Sequence, residues 1–290
     1  MLATGSAQRN DRNPGSAKRY AGRRGASLDF LLECIGFPPD FSMEELVELV
    51  RRKGEPAAWR GQPDRHMRLS LGGGLEVRID RESGRGPWNV LPHFQVPHRL
   101  RVAVDEIRPL PDSPFDALVI GWAAPSLDPD EARLLPGAYR LSAFVADARR
   151  LPRSLPFGHV LALSIAGFAL DVTAIHPDEG DLDPEIRASR TRSRIAPLGA
   201  PGDPGGCADV SLRIRKVLRL VNPITNLPVE ILEADAPERP LPLFVSRWQI
   251  ERDRLELPRP GWRIEGTFLF SGRIAGGLPG PAAAARGSFG

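Results

Sequence analysis

The chain predicts an α+β, strand-rich fold: N-terminal helices plus an antiparallel sheet, followed by a small OB-like β-barrel. Three observations carry this expectation. Apolar residues recur at helical spacing near the N-terminus and in one short stretch after Ser246. From residue 67 onward they mostly alternate with polar ones, the two-residue period of a strand. The 30 prolines and 29 glycines among 290 residues cut the chain into short pieces, against long helices.

The first ordered element is a helix over "SLDFLLECIGF", with Ser27 placed to cap it and Phe30, Leu31, Cys34 and Ile35 as its apolar stripe. Gly36 and Pro38-Pro39 end it. A second helix opens at Ser42, with Glu45 at capping-box spacing. Leu46, Val47, Leu49 and Val50 form its buried side, and Arg51, Arg52 and Lys53 complement the dipole of its last turn.

Strands follow. "MRLSL" and "LEVRI" flank Gly72-Gly73-Gly74 as a hairpin. "RLRVAV" (99–104), "DALVIGWA" (116–123) and "YRLSAFV" (139–145) are further strands. "HVLALSIAGFALDVTAI" (159–175) predicts two apolar strands around a tight turn at Ala166-Gly167. A charged excursion leads to "APLGAPGDPGGC" (196–207), a Pro/Gly-rich linker and the expected domain boundary. Beyond it, "VSLRIRKVLRLV", "PVEILEAD" and "LPLFVS" are strands, "SRWQIERD" is a short helix capped by Ser246, and "GWRIEGTFLFSGRI" is the closing strand. The expected organisation is a basic disordered tail over 1–26, an N-terminal α+β domain over 27–206, an OB-like β-barrel domain over 207–275 and a disordered tail over 276–290.

The stretches "FLLECIGF", "LALSIAGFALDV" and "KVLRLVNPITNLPVEIL…LFVSRW…PRPGWRIEGTFLFSGRI" together resemble a bacterial family of uncharacterised proteins, domain of unknown function 3881. The resemblance spans most of 27–274 and is best in the C-terminal third, with Asn226 where that family's turn usually has glycine. It implies no activity and no catalytic residue.

Charge separates the tail from the body. Residues 1–25 hold six basic side chains against Asp11, a balance of +5, so the rest of the chain carries −2 of the overall +3. Such a tail attracts nucleic acid or an acidic partner, but charge blocks at termini are ordinarily just solvated. Cys34 and Cys207 lie far apart and outline neither a metal site nor a disulfide framework, which fits a reducing, cytoplasmic setting. No apolar run reaches the roughly 20 residues of a membrane helix, and the first residues lack the apolar segment of a signal peptide.

Motifs for chemistry are sparse. Among His66, His93, His98, His159 and His176 only His93 and His98 are close in sequence, and "HFQVPH" is not a metal-ligand spacing. Structural histidines are the simpler reading. "PDEGDLDPE" (177–185) lacks the ordered oxygen ligands of a calcium loop. "LGGG" is followed by a strand instead of a helix N-terminus, so it is no phosphate cradle. No catalytic residue, cofactor or metal is expected.

Three function classes remain. The first is a non-catalytic binding or scaffold protein acting through protein contacts. The second is single-stranded nucleic-acid binding through the OB-like domain and basic tail, with Arg213, Arg215 and Arg219 on one strand as the candidate contacts. The third is an enzyme with an unrecognised site between domains. The final strand bears on the second. Trp262, Ile264, Phe268 and Phe270 share one parity, and burying each would contribute about 1.5–3 kcal/mol. They are therefore expected to line a barrel wall, with Arg263, Glu265 and Thr267 facing solvent.

Overall fold

The computed structural model describes residues 29–56, 65–81, 86–110, 113–126, 136–152, 155–156, 158–177, 193–200 and 203–278. The expected tail over 1–26 lies outside these, as does the expected tail over 276–290 beyond residue 278, and the last strand runs through Gly276.

Two helices open the described chain, α1 (Asp29–Glu33) and α2 (Met43–Lys53). Ser42 caps α2 by accepting from the Glu45 amide at 3.3 Å. Four short strands follow, β1 (Glu55–Pro56), β2 (His66–Gly72), β3 (Leu75–Asp80) and β4 (Asn89–Phe94), and form an antiparallel sheet in that order. A second, nine-stranded mixed sheet comprises β5 (Leu100–Leu110), β6 (Ser113–Ala123), β7 (Tyr139–Val145), β8 (His159–Pro177), β9 (Arg194–Ala200), β10 (Asp203–Val221), β11 (Pro228–Ala234), β12 (Leu241–Val245) and β13 (Trp262–Gly276). A third helix, α3 (Arg247–Arg252), precedes β13, and Ser246 caps it by accepting from the Gln249 amide.

Eight of the nine strands close on themselves twice, with β9 at the edge beside β10. β8 and β13 pair antiparallel from Trp262↔Pro177 to Gly276↔Ala162. The first half of β8 pairs β5, β5 pairs β6, β6 pairs β7, and β7 returns to β13 at Ser271 and Gly272. The second half of β8 pairs β12 at Gly167 and Phe168. β12 then pairs β11, β11 pairs β10, and β10 returns to the first half of β13. Two five-stranded rings thus share one long ribbon, and closure leaves few open edges. Register shifts along β8–β13 give the ribbon bulges, which add the bend and twist that two rings require.

This corrects the expected fold. There is no small OB-like barrel over 207–275: the C-terminal strands close only through β8, which lies inside the expected N-terminal domain, and the sheet is mixed, not antiparallel. Nor is there a hairpin at Ala166-Gly167. β8 runs unbroken through both residues. Gly167 is there for space, since a Cβ on it would sit 2.7 Å from Leu243 and 2.9 Å from the Phe270 ring. The stretch 196–207 is no linker either. It spans the end of β9 and the start of β10, and the boundary expected at 206 falls inside β10. A Cβ on Gly206 would overlap the Phe144 ring, so this glycine also marks a close approach.

The core is continuous across helices and both sheets. Phe94 of β4 meets Phe244 of β12 edge to face, centroids 5.1 Å apart, and Phe244 stacks on Phe168 of β8 at 4.8 Å. α1 is locked to the β10–β11 turn: Asn222 is fully buried and donates to the Ile35 carbonyl at 2.9 Å, and Thr225 donates to the Gly36 carbonyl at 2.7 Å. Asn226 takes the left-handed conformation at φ 57, as the sequence of this turn requires.

Because the second ring needs β8, a fragment of residues 203–278 should fail to fold. We expect poor amide dispersion by NMR for the fragment and one cooperative melting transition for the full chain. A well-dispersed fragment spectrum would overturn the shared-ribbon account. Phe268 is fully buried, and Phe268→Ala should cost about 3–5 kcal/mol in denaturant melts.

Candidate polar seam and basic strand

β3 is buried on both faces. Leu75, Val77 and Ile79 alternate with Glu76, Arg78 and Asp80. The register places Glu76 opposite His93 on β4 and Asp80 opposite His66 on β2, so these charged and imidazole groups share one face. That face meets the first ring. His66, Arg78, Asp80 and His93 line one small cavity with Asp116 of β6 and Ser271 of β13. The seam is therefore polar although nearly every group in it is buried.

Glu76 is its hub. Its carboxylate accepts from Arg78 Nε at 3.4 Å and Nη2 at 3.3 Å, and lies 3.5 Å from Arg68 Nη1 and 3.7 Å from His93 Nδ1. Burial pulls the Arg78 guanidinium below its ordinary pKa, opposed first by Glu76 and then by Asp147. His93 is held well below the usual histidine range, first by burial and then by the positive charges of Arg78, Arg273 and Arg68. Beside the seam, burial raises the Asp147 carboxyl, against hydrogen bonds from the Ile274 amide at 2.7 Å and from Arg150 Nη1 at 3.1 Å.

The chemical capacity of this site is limited. The enclosed cavity is about 10 Å³, the room of a single water. Among the described residues no three His, Cys, Asp or Glu come together to hold a metal. The acidic stretch after Pro177 lies outside the described residues. Cys34 is buried and donates to the Ala169 carbonyl at 3.3 Å, and burial pushes its thiol well up. Burial also raises the Cys207 thiol, to about 11, so neither cysteine has the lowered pKa of a nucleophile.

The structure places the expected nucleic-acid contacts on β10. Arg213, Arg215 and Arg219 are all exposed. A register shift between Ile214 and Lys216 sets Arg215 at a bulge, so the three are not an evenly spaced ladder. Arg219 donates to Glu230 on β11 at 3.2 Å, an ordinary cross-strand pair. Among the described residues the aromatic side chains of the closing strand form no exposed platform beside them. Phe268, Phe270 and Ile264 are fully buried, and Trp262 is half-buried beneath Arg259, 4.9 Å from ring centroid to guanidinium.

The final strand departs from alternation: Arg263, Leu269 and Ser271, on the parity of Glu265 and Thr267, are buried. Arg263 is 2% exposed instead of facing solvent. Its Nη1 donates to the Ser211 carbonyl at 3.2 Å and to Ser211 Oγ at 3.3 Å. β13 lies between β8 and β10, and the neighbouring strand supplies acceptors that allow the guanidinium to be buried. Glu265 and Thr267 are half-buried.

The seam itself was not apparent as a site in the sequence. Its trace is the period-two run Glu76-x-Arg78-x-Asp80 inside a hairpin with apolar residues between, a pattern that ordinarily marks a solvated face.

No family model, curated protein or solved structure matches the chain. The resemblance to the domain of unknown function is therefore not supported. No helix among the described residues is long and apolar enough to cross a membrane.

Two substitutions separate buried from exposed charge. Glu76→Ala leaves Arg78 buried without its nearest carboxylate and should cost about 3–5 kcal/mol in denaturant melts. Arg213→Ala, on the exposed side of β10, should change stability by less than about 0.5 kcal/mol. Equal losses would show that the seam charges are solvated.

Proposed function

We propose that this protein is a non-catalytic binding or scaffold protein that works through protein contacts. The observation that carries the reading is the filled interior. Among the described residues, the polar enclosure between the small sheet and the first ring is about 10 Å³, whereas small-molecule sites are clefts of roughly 300–1,000 Å³. Arg78, which lines that enclosure, is held by the Glu76 carboxylate beside it. A catalytic reading finds less support, because a substrate has no room beside them. We place the protein in the cytoplasm, a setting that suits two free cysteines.

A second reading has one specific observation in its favour. Arg213, Arg215, Lys216 and Arg219 are exposed along a single strand, and such a row attracts a phosphate backbone without base stacking.

Three measurements test these readings together. Protein isolated from its native cells should elute in an assembly larger than one chain, melting temperatures should not move with a panel of common metabolites, and labelled oligonucleotides should not bind at 150 mM salt. A reproducible metabolite shift of several degrees would sink the scaffold reading. Salt-dependent oligonucleotide binding lost in Arg213→Glu with Arg215→Glu would replace it with the second.

A further inference from the structure

We propose that the seam between the four-stranded sheet and the first ring is a proton-operated clasp, released when His93 takes up a proton in mildly acidic solution. Three geometric facts lead there. His93 is 1% exposed. It belongs to β4, the edge strand of the small sheet, and lines the cavity that this sheet shares with β6 and β13 of the first ring. Among the described residues neither of its ring nitrogens meets a hydrogen-bond partner, and its nearest carboxylate, Glu76, is 3.7 Å away and already accepts from Arg78.

The charged and titratable groups around His93 come from every element packed on it. β2 brings His66 and Arg68, and β3 brings Glu76, Arg78 and Asp80. β6 brings Asp116 and β13 brings Arg273, with Asp147 close to Arg78. Arg78, Arg273 and Arg68 each oppose a charge on His93, and burial opposes it more. Glu76 already pairs with Arg78 and Arg68, and Asp147 with Arg150, so an added imidazolium would meet only a carboxylate that is already engaged.

Separation of the sheet from the ring would bring His93 into water, where histidine titrates near about 6.5. The open form then binds a proton that the closed form does not. The sign follows from linkage: the closed-state pKa is depressed, so closure is unaffected above about 6.5 and weakens as pH falls below it. One proton shifts the opening equilibrium about tenfold per pH unit until the closed-state value is reached. At pH 5.0 the expected rise over pH 7.5 is about 30-fold.

Hydrogen exchange of the full chain at pH 7.5 and 5.0, corrected for intrinsic exchange rates, reads this directly. The opening constant of β3 and β4 amides should rise about 30-fold, while β10 and β11 amides change by less than about threefold. His93→Gln should abolish the rise and His66→Gln should retain it. The clasp is overturned by no rise, by an equal rise across both rings, or by a rise that survives His93→Gln. Should His93→Gln fail to fold, NMR of the wild-type histidine rings still decides: His93 must stay neutral in the closed form at pH 5.5, and a protonated closed form at pH 6.5 overturns the proposal.

Discussion

The pairing of β8 with β13 is the constraint on which the rest depends. It joins residues about a hundred positions apart, and both rings use it as a wall. Each ring is otherwise closed by a parallel contact of only two register positions, β12 to β8 and β7 to β13. Such brief parallel contacts are weak alone, so the antiparallel ribbon holds the ends that they join. The order of assembly is constrained as well. Loop-closure entropy must be met before distant strands reward it, which makes a topology of this kind slow to form.

The ribbon also explains why the crossing is closely packed. Two strands serving two rings must present side chains to both, and space at the crossing is scarce. At Gly167 the missing side chain admits Leu243 and Phe270. Phe168, one residue on, turns to the stack with Phe244, which in turn meets Phe94 of the small sheet. A crossing packed in this way excludes a central cavity by construction. The contrast with a ligand-carrying barrel lies in ring size: five strands enclose side chains only, whereas a lumen that admits a ligand needs about eight or more.

Local structure was legible in the sequence where a period and a boundary coincide. Ser42 with Arg51-Arg52-Lys53 marks both ends of α2, and Gly72-Gly73-Gly74 marks the β2–β3 turn. Long-range structure was not. A glycine in a continuous apolar run reads the same whether it turns the chain or makes room for a neighbour, and at Gly167 the two outcomes differ by a whole hairpin. Pro204-Gly205-Gly206 has a linker's composition, yet the ladder from β10 to β9 absorbs it as a register shift. Arg263 shows the same limit at the level of a side chain. Alternation assigned it to solvent, and only the neighbouring strand reveals the acceptors at Ser211.

The polar seam has a structural consequence apart from any proton uptake. The small sheet has two buried faces, one carrying Leu75, Val77 and Ile79 and the other Glu76, Arg78 and Asp80. Hydrophobic burial alone is indifferent to which face meets the ring. A one-residue slip of β3 would exchange the faces, because strand periodicity is two. The slip would carry Glu76, Arg78 and Asp80 away from the partners they now have, at several kcal/mol for each buried ion. It would also put Leu75, Val77 and Ile79 against His93, Asp116 and Asp147. Charge thus fixes an orientation that apolar packing leaves open, and the same burial that makes the network specific makes a further positive charge within it intolerable.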